Sequence, residues 1–363
     1  MKKELNIIFG AFEAGKNFKD YATNKNVNID FFVDNNPEKQ NLFEGIEVLS
    51  VEKLLQLAKK NCVNVYIAAN AIGEIVHQLK EMNFEGKVYG IKKEDAVYIK
   101  SDSDVVYPID ICKPRLSYIE YEVSHHCNLR CKGCSHFSNL EQESRFGDFN
   151  QFKADLYRLK ELFWGVRIIR LLGGEPLLNP NVCDFFVTAR NIFPDARIQV
   201  VSNGIYIPTL DKRILEQMKQ YNIEFDITQY IPTSKIKDRI EEVLQEYKIQ
   251  YHLSALVTEF FDRNNFSGDS DIEASFACCT SKGCHFLEDG HIATCPRPFV
   301  FLKVSDIYNI DTNVLRKDII DIYDKEMTGE ILNKRLEQAL ETCRYCFPQE
   351  KLKFFEWQGN CRK

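Results

Sequence analysis

The chain has 363 residues, of which 44% are hydrophobic and 28% charged, a balance that lets a globular protein bury a core and stay dissolved and that excludes general disorder. A formal net charge of -6 and a pI near 5.8 argue against a nucleic-acid backbone as the main partner. No apolar run approaches the roughly 20 residues that a bilayer demands, and the opening segment lacks a long apolar region and cleavage site, so neither a membrane partner nor export is expected and the chain reads as cytoplasmic.

In chain order, an apolar run at Leu5 to Phe9 ends on Gly10, a helix follows, and Val27 to Val33 forms a second run closing on Asp34. A helix at Val51 to Lys60, a strand at Val63 to Ala69, a helix from Ile72 to Met82 and a strand at Lys87 to Ile91 continue the alternation. Alternating strands and helices imply a parallel sheet covered on both faces, so residues 1–112 read as a doubly wound α/β domain. After Pro108 and Pro114 the rhythm restarts. Strands are expected at Leu116 to Val123, Val166 to Leu172, Ala196 to Val201, Ile223 to Thr228 and Ile249 to Ala255. Helices are expected at Phe149 to Phe163, Val182 to Ile192, Leu210 to Gln220 and Lys235 to Tyr247. This second α/β domain occupies 113–275, with five strands or six. From about Phe276 the pattern breaks into cysteine-rich turns, a hairpin signal at Asp289-Gly290 and a last helix around Glu330 to Leu340. Residues 276–363 read as a small α+β domain whose folding depends on bound metal as much as on burial.

Thirteen cysteines in a reducing compartment point to metal ligation or redox chemistry more than to disulfides. Cys62, Cys112 and Cys183 are scattered, three lie between Cys127 and Cys134, and seven fall between Cys278 and Cys361. The loop after Glu122 spaces Cys127, Cys131 and Cys134 as Cys-x3-Cys-x2-Cys. Three thiolates there can hold three irons of a [4Fe-4S] cube and leave the fourth iron open. Structural zinc is the alternative, with a fourth ligand from His126, His136 or elsewhere.

This spacing after a strand resembles the radical S-adenosylmethionine superfamily, over residues of about 116 to 255. The resemblance implies a partial (β/α)6 barrel, a [4Fe-4S] cluster whose open iron is chelated by S-adenosylmethionine, and cleavage of that molecule to a 5′-deoxyadenosyl radical that removes a substrate hydrogen. It also implies a reductant such as flavodoxin or ferredoxin. One departure is Gly133, where the family often has an aromatic residue. A second match is Gly173-Gly174-Glu175-Pro176 after a strand, which the family uses to hydrogen-bond the amino group of the bound methionine; an ordinary strand-to-helix turn is the alternative. A third is Ser202 and Asn203, where relatives place ribose contacts and where an Asn-Gly turn would also suffice. All three features fall at carboxyl ends of expected strands, where sites in such barrels collect.

The run from Cys278 and Cys279 through Cys284 and the Asp289-Gly290 turn to Cys295, followed by Cys343 and Cys346, resembles the extensions called twitch and SPASM domains. That resemblance implies one auxiliary [4Fe-4S] cluster, with Cys279 and Cys284 competing for the first ligand position and Cys278 and Cys361 also open. Ten residues separate Cys279 from Gly290 and four separate Gly290 from Cys295, as in the family. Zinc again is the alternative.

The segment Gly10-Ala-Phe12-Glu-Ala-Gly15-Lys16, with Asp34 at the next strand end, resembles Rossmann-like domains attached to enzymes of surface-sugar and nucleotide-sugar metabolism. Phe12 replaces the middle glycine that lets a backbone approach pyrophosphate. The expected substrate is a small molecule, a sugar or nucleotide-sugar. A peptide maturase is the second enzyme reading, and a zinc- or cluster-stabilised binding module the non-enzyme reading. His125, His126 and His136 flank the cluster loop, and Arg297 and Gln229 are candidate substrate contacts.

Overall fold

The computed structural model describes residues 2–92 and 105–359; Cys361 lies outside them. The chain divides into two compact units, 1–114 and 115–363. No helix among the described residues is long and apolar enough to cross a membrane.

In the first unit β1 (Glu4–Phe9), β2 (Phe31–Val33), β3 (Leu42–Phe43), β4 (Ile46–Leu49), β5 (Cys62–Ile67), β6 (Lys87–Ile91) and β7 (Val106–Ile109) form one sheet in the order β3-β4-β2-β1-β5-β6-β7. The five central strands are parallel, and β3 and β7 pair antiparallel at the edges. The strand expected from Val27 is cut to Phe31–Val33. Its leading residues instead anchor β1: the Asn6 backbone N–H donates to the Asp30 carboxylate at 2.9 Å and its side chain to the Asn28 carbonyl. Helices at Glu13–Asn24, Val51–Lys60 and Ile72–Glu81 fill the crossovers. Ser50 caps the second by accepting from the Lys53 N–H.

At the end of β1 a Cβ on Gly15 would lie 2.1 Å from the Gly10 carbonyl, so that glycine lets the first helix pack on its strand. The Phe12 ring lies against Gly10 beneath the Lys39 ammonium. Asp34 accepts from the backbone N–H groups of Ala11 and Asn36. Its carboxylate thus orders the loop.

The second unit supplies β8 (Arg115–Ser124), β9 (Gly165–Gly173), β10 (Arg197–Ser202), β11 (Glu224–Ile227), β12 (Tyr251–Leu253), β13 (Glu259–Asp262), β14 (Phe286–Glu288), β15 (His291–Ala293), β16 (Ile320–Asp321) and β17 (Lys353–Glu356). Eight of these form an open sheet in the order β12-β11-β10-β9-β8-β14-β15-β16, and β13 pairs with β17 apart. The first five are parallel neighbours. The sixth parallel strand is β14, from the cysteine-rich segment, which joins the free edge of β8 with Phe286 opposite Glu120. It belongs to the Asp289-Gly290 hairpin, whose two turn residues take positive φ of 47° and 78°.

Alternation assigns the faces. Ile119, Tyr121, Val123, Ile169, Leu171, Ile198, Val200, Phe225 and Ile227 are buried in one core with the helices Phe149–Leu162, Val182–Ile192, Lys212–Gln220 and Lys237–Glu246. Tyr118, Glu120, Glu122 and Arg170 occupy alternate positions, so β8 and β9 present polar groups on their other face. Gly290 donates its N–H to the buried Asp155 carboxylate at 2.9 Å, tying the hairpin to the helix Phe149–Leu162.

Candidate functional site

The carboxyl ends of β8, β9, β10 and β11 converge on one cavity. Its lining includes Cys127, Cys131 and Cys134 from the loop after β8, Gly173 and Gly174 after β9, Ser202 and Asn203 after β10, and Thr228 and Tyr230 after β11. Three stretches read separately in the sequence thus meet at one place.

The two glycines are required by the chain itself. A Cβ on Gly173, whose φ is +131°, would lie 2.1 Å from the Ser124 carbonyl oxygen, and one on Gly174 would lie 2.1 Å from that of His126. Gly174 donates its N–H to Ser124 at 2.6 Å and Glu175 to His126 at 2.9 Å. The turn therefore grips the backbone immediately before Cys127. Pro176 is buried and starts a short 3-10 turn behind it.

Glu175 is fully buried. Its carboxylate accepts from the Ser202 hydroxyl at 2.8 Å, the Asn203 backbone N–H at 2.8 Å and the Leu177 N–H at 3.1 Å. Burial pushes its pKa up to about 7, against those three hydrogen bonds. Asn203 donates from its amide to Asn128 Oδ1 at 2.7 Å. Glu175 thus ties the two remote motifs together without itself lining the cavity.

Burial also pushes the Cys127 thiol up to about 12 and the Cys131 thiol up to about 11, so metal binding there must release protons. Beneath the loop, Glu122 accepts from His125 at 2.7 Å, His136 at 2.9 Å and the Lys303 ammonium at 2.5 Å. Burial opposes its charge, but the two imidazoles and the ammonium hold it well below the usual carboxylate range. Lys303 also reaches Glu288 at 3.1 Å. His136 borders the cavity, while His126 contacts the Ser124 hydroxyl and Phe146.

A second cavity is lined by Cys279, Cys295, Cys343 and Cys346, with Arg263, Lys282, Arg297 and Thr294 among its walls. Cys284 is not in that lining. It sits by Tyr118, Glu120 and Arg170, and burial pushes its thiol up to about 11. Cys278 points to the Ser275 carbonyl and accepts from the Gln349 N–H. Gln229 lines neither cavity; its backbone N–H donates to Ser254.

Both donor sets suit a multinuclear sulfur-bound cluster. None of the described cysteines is in a disulfide. Among the described residues, Glu122, His125 and Glu288 are the one group of three His, Cys, Asp or Glu ligand atoms within 4.8 Å of one another, and the Lys303 ammonium already bridges its two carboxylates. Each cavity also holds buried hydroxyls without a hydrogen-bond partner among the described residues, Ser138 Oγ in the first and Thr294 Oγ1 in the second. Such donors match the sulfides of a cluster.

The sequence pattern did not expose Glu122, Lys303, Tyr230 or Trp357. Tyr230 lines the first cavity and stacks on Trp357, whose indole N–H donates to Cys131 Sγ. The aromatic run Phe354-Phe355-Glu356-Trp357, holding one of only two tryptophans, was the available signal.

Residues 121–251 match the family model described as the Radical SAM superfamily. The chain is similar to the GTP 3',8-cyclase of Nautilia profundicola, 28% identical over 148 residues that cover 38% of this chain and 44% of that one. It is also similar to the GTP 3',8-cyclase of Aliarcobacter butzleri, 29% identical over 140 residues that cover 36% of this chain and 42% of that one. The chain thus spans less than half the length of these relatives. Among solved structures, BtrN in complex with AdoMet and 2-DOIA is 20% identical, with a TM-score of 0.39 over 65% of this chain and 95% of that one. The matched segment runs from β8 through the cysteine loop to β12, so the part of the chain that builds the first cavity carries a radical SAM domain.

Proposed function

We propose that this chain cleaves S-adenosylmethionine reductively and uses the product to remove hydrogen from a small-molecule substrate. The observation that carries the reading is the convergence of Cys127, Cys131 and Cys134 with Gly173, Gly174, Ser202 and Asn203 on one cavity. The three cysteines would hold a [4Fe-4S] cluster. When bound, the cluster supplies an electron and S-adenosylmethionine supplies a 5′-deoxyadenosyl radical.

The chain's own residues bind and orient. The Gly173–Pro176 turn fixes the cluster loop and offers backbone groups to the methionine end of the cofactor. Ser202 and Asn203, held by Glu175, would meet its ribose. Tyr230 and Phe260 wall the cavity with rings and exclude water.

Cys279, Cys295, Cys343 and Cys346 would hold an auxiliary [4Fe-4S] cluster, with Arg263, Lys282 and Arg297 balancing its negative charge. The substrate is a nucleotide or nucleotide-linked sugar: relatives named for GTP cyclisation support the nucleotide, and the α/β sheet of residues 1–114 supports a nucleotide-linked ligand.

Anaerobically reconstituted protein should bind about eight irons, four for each cluster. On reduction it should form methionine and 5′-deoxyadenosine, and Cys127→Ala should abolish that cleavage. Zinc at both sites with no iron-sulfur absorption would reject the reading.

A further inference from the structure

The far end of the chain closes over the cluster loop. Lys132 donates its backbone N–H to the Gln358 carbonyl at 2.8 Å, and Trp357 donates its own to Thr258 at 2.8 Å. The Phe355 ring fills the space over Gly133, where a Cβ would lie 2.4 Å from it. Trp357 is 8% exposed and stacks on Tyr230 with ring centroids 5.5 Å apart. Its indole Nε1–H donates to Cys131 Sγ at 3.2 Å.

Indole N–H is a donor with no acceptor capacity, and leaving it buried and unpaired is costly. Here its partner is a sulfur. The Cys127 sulfur receives longer contacts, from the Leu129 N–H at 3.4 Å and the Asn203 amide at 3.9 Å. Hydrogen bonds to cluster sulfurs are among the factors that set reduction potential.

We propose that Trp357 is a positioning residue that raises the reduction potential of the cluster on Cys127, Cys131 and Cys134. This rests on the reading of those cysteines as cluster ligands. Reduction takes one electron from an external one-electron donor, makes and breaks no bond, and leaves the indole proton in place. The added negative charge falls partly on the ligating sulfurs, so the N–H donor stabilises the reduced state more than the oxidised one.

The test uses the full chain, reconstituted anaerobically. Iron content and visible absorption are measured first, and the cluster is then titrated with dithionite while following the electron paramagnetic resonance signal that S-adenosylmethionine perturbs. Trp357→Phe keeps a ring on Tyr230 and removes the donor. A second protein, made with benzothienylalanine in place of its two tryptophans, keeps the indole shape and replaces N–H by sulfur. The other tryptophan, Trp164, packs under Arg115. Both proteins should keep wild-type iron and show a roughly tenfold weaker reduction equilibrium, a midpoint about 59 mV more negative for one electron. If Trp357→Phe loses iron, the isosteric protein decides. An unchanged midpoint with normal iron in the isosteric protein overturns the proposal. Wild-type protein that forms no iron-sulfur cluster overturns the cysteine assignment instead.

Discussion

Gly174 has no room for a methyl group, because a Cβ there would lie 2.1 Å from the His126 carbonyl, one residue before Cys127. Gly174→Ala should therefore displace the cluster loop. Iron in reconstituted protein should fall from about eight to about four per chain, with the loss at the first cavity; undiminished iron would show that the loop yields at no cost. Glu175 makes a pH prediction. Its folded pKa of about 7 lies above the ordinary 4.5, so from pH 4.5 to 7 the folded chain holds a proton that the unfolded chain has lost. Stability contributed by neutral Glu175 is complete below the unfolded value and is lost as pH rises through the folded one. In cofactor-free protein, melting temperature measured against pH should show Glu175→Gln gaining on wild type across that window. Parallel curves would contradict the raised pKa. The cysteine loop was legible because its information is local, a spacing within eight residues. Lys303 and Trp357 were not, since they meet Glu122 and Cys131 across 181 and 226 residues and no short-range pattern records such a partner.

The helices Val51–Lys60 and Val182–Ile192 form over the residues their periodicity predicts. Strands of five residues or more were also legible within a residue or two. The hairpin β3–β4 and the pair β13–β17 were not, because strands of two to four residues hold too few alternations to stand out, and β17 finds its partner some 90 residues away. The Asp289-Gly290 turn was plain, yet the sequence did not tell that β14 would pair with β8. That hairpin parts two cysteines. Cys279 lines the second cavity with Cys295, Cys343 and Cys346, whereas Cys284 turns toward Tyr118 and Glu120. Cys279→Ala should remove about four irons. Cys284→Ala should leave the count intact. Iron analysis of the two variants side by side would reverse the assignment if the losses were exchanged.

Each unit has its own core: Ile8, Phe18, Phe32 and Val48 pack together in the first, and the large cluster from Leu116 to Leu336 fills the second. Residues 115–363 produced alone should therefore fold, take up iron at both cavities and cleave S-adenosylmethionine at the basal rate of the full chain. Circular dichroism and iron analysis of that fragment provide the check, and an unfolded or iron-free product would mean that the division is not one of stability. The α/β class of both units followed from alternation alone, because a parallel sheet with helical crossovers writes its rhythm along the chain. Which remote segment completes a sheet does not follow from rhythm.

The late arrival of β14 has a consequence in time. Glu120 of β8 finds Arg170 of β9 fifty residues on, but its other neighbour, Phe286, is 166 residues on. At a synthesis rate of about 5–20 residues per second, one edge of β8 stands open for roughly 8 to 33 s after β8 is made. Its unpaired N–H and C=O groups are during that interval a template for strands of other nascent chains. The same edge stays open permanently in any product that stops short of Phe286. Recovery of native protein is then a race between elongation and aggregation, and conditions that dilute nascent chains or shield strand edges favour the native pairing.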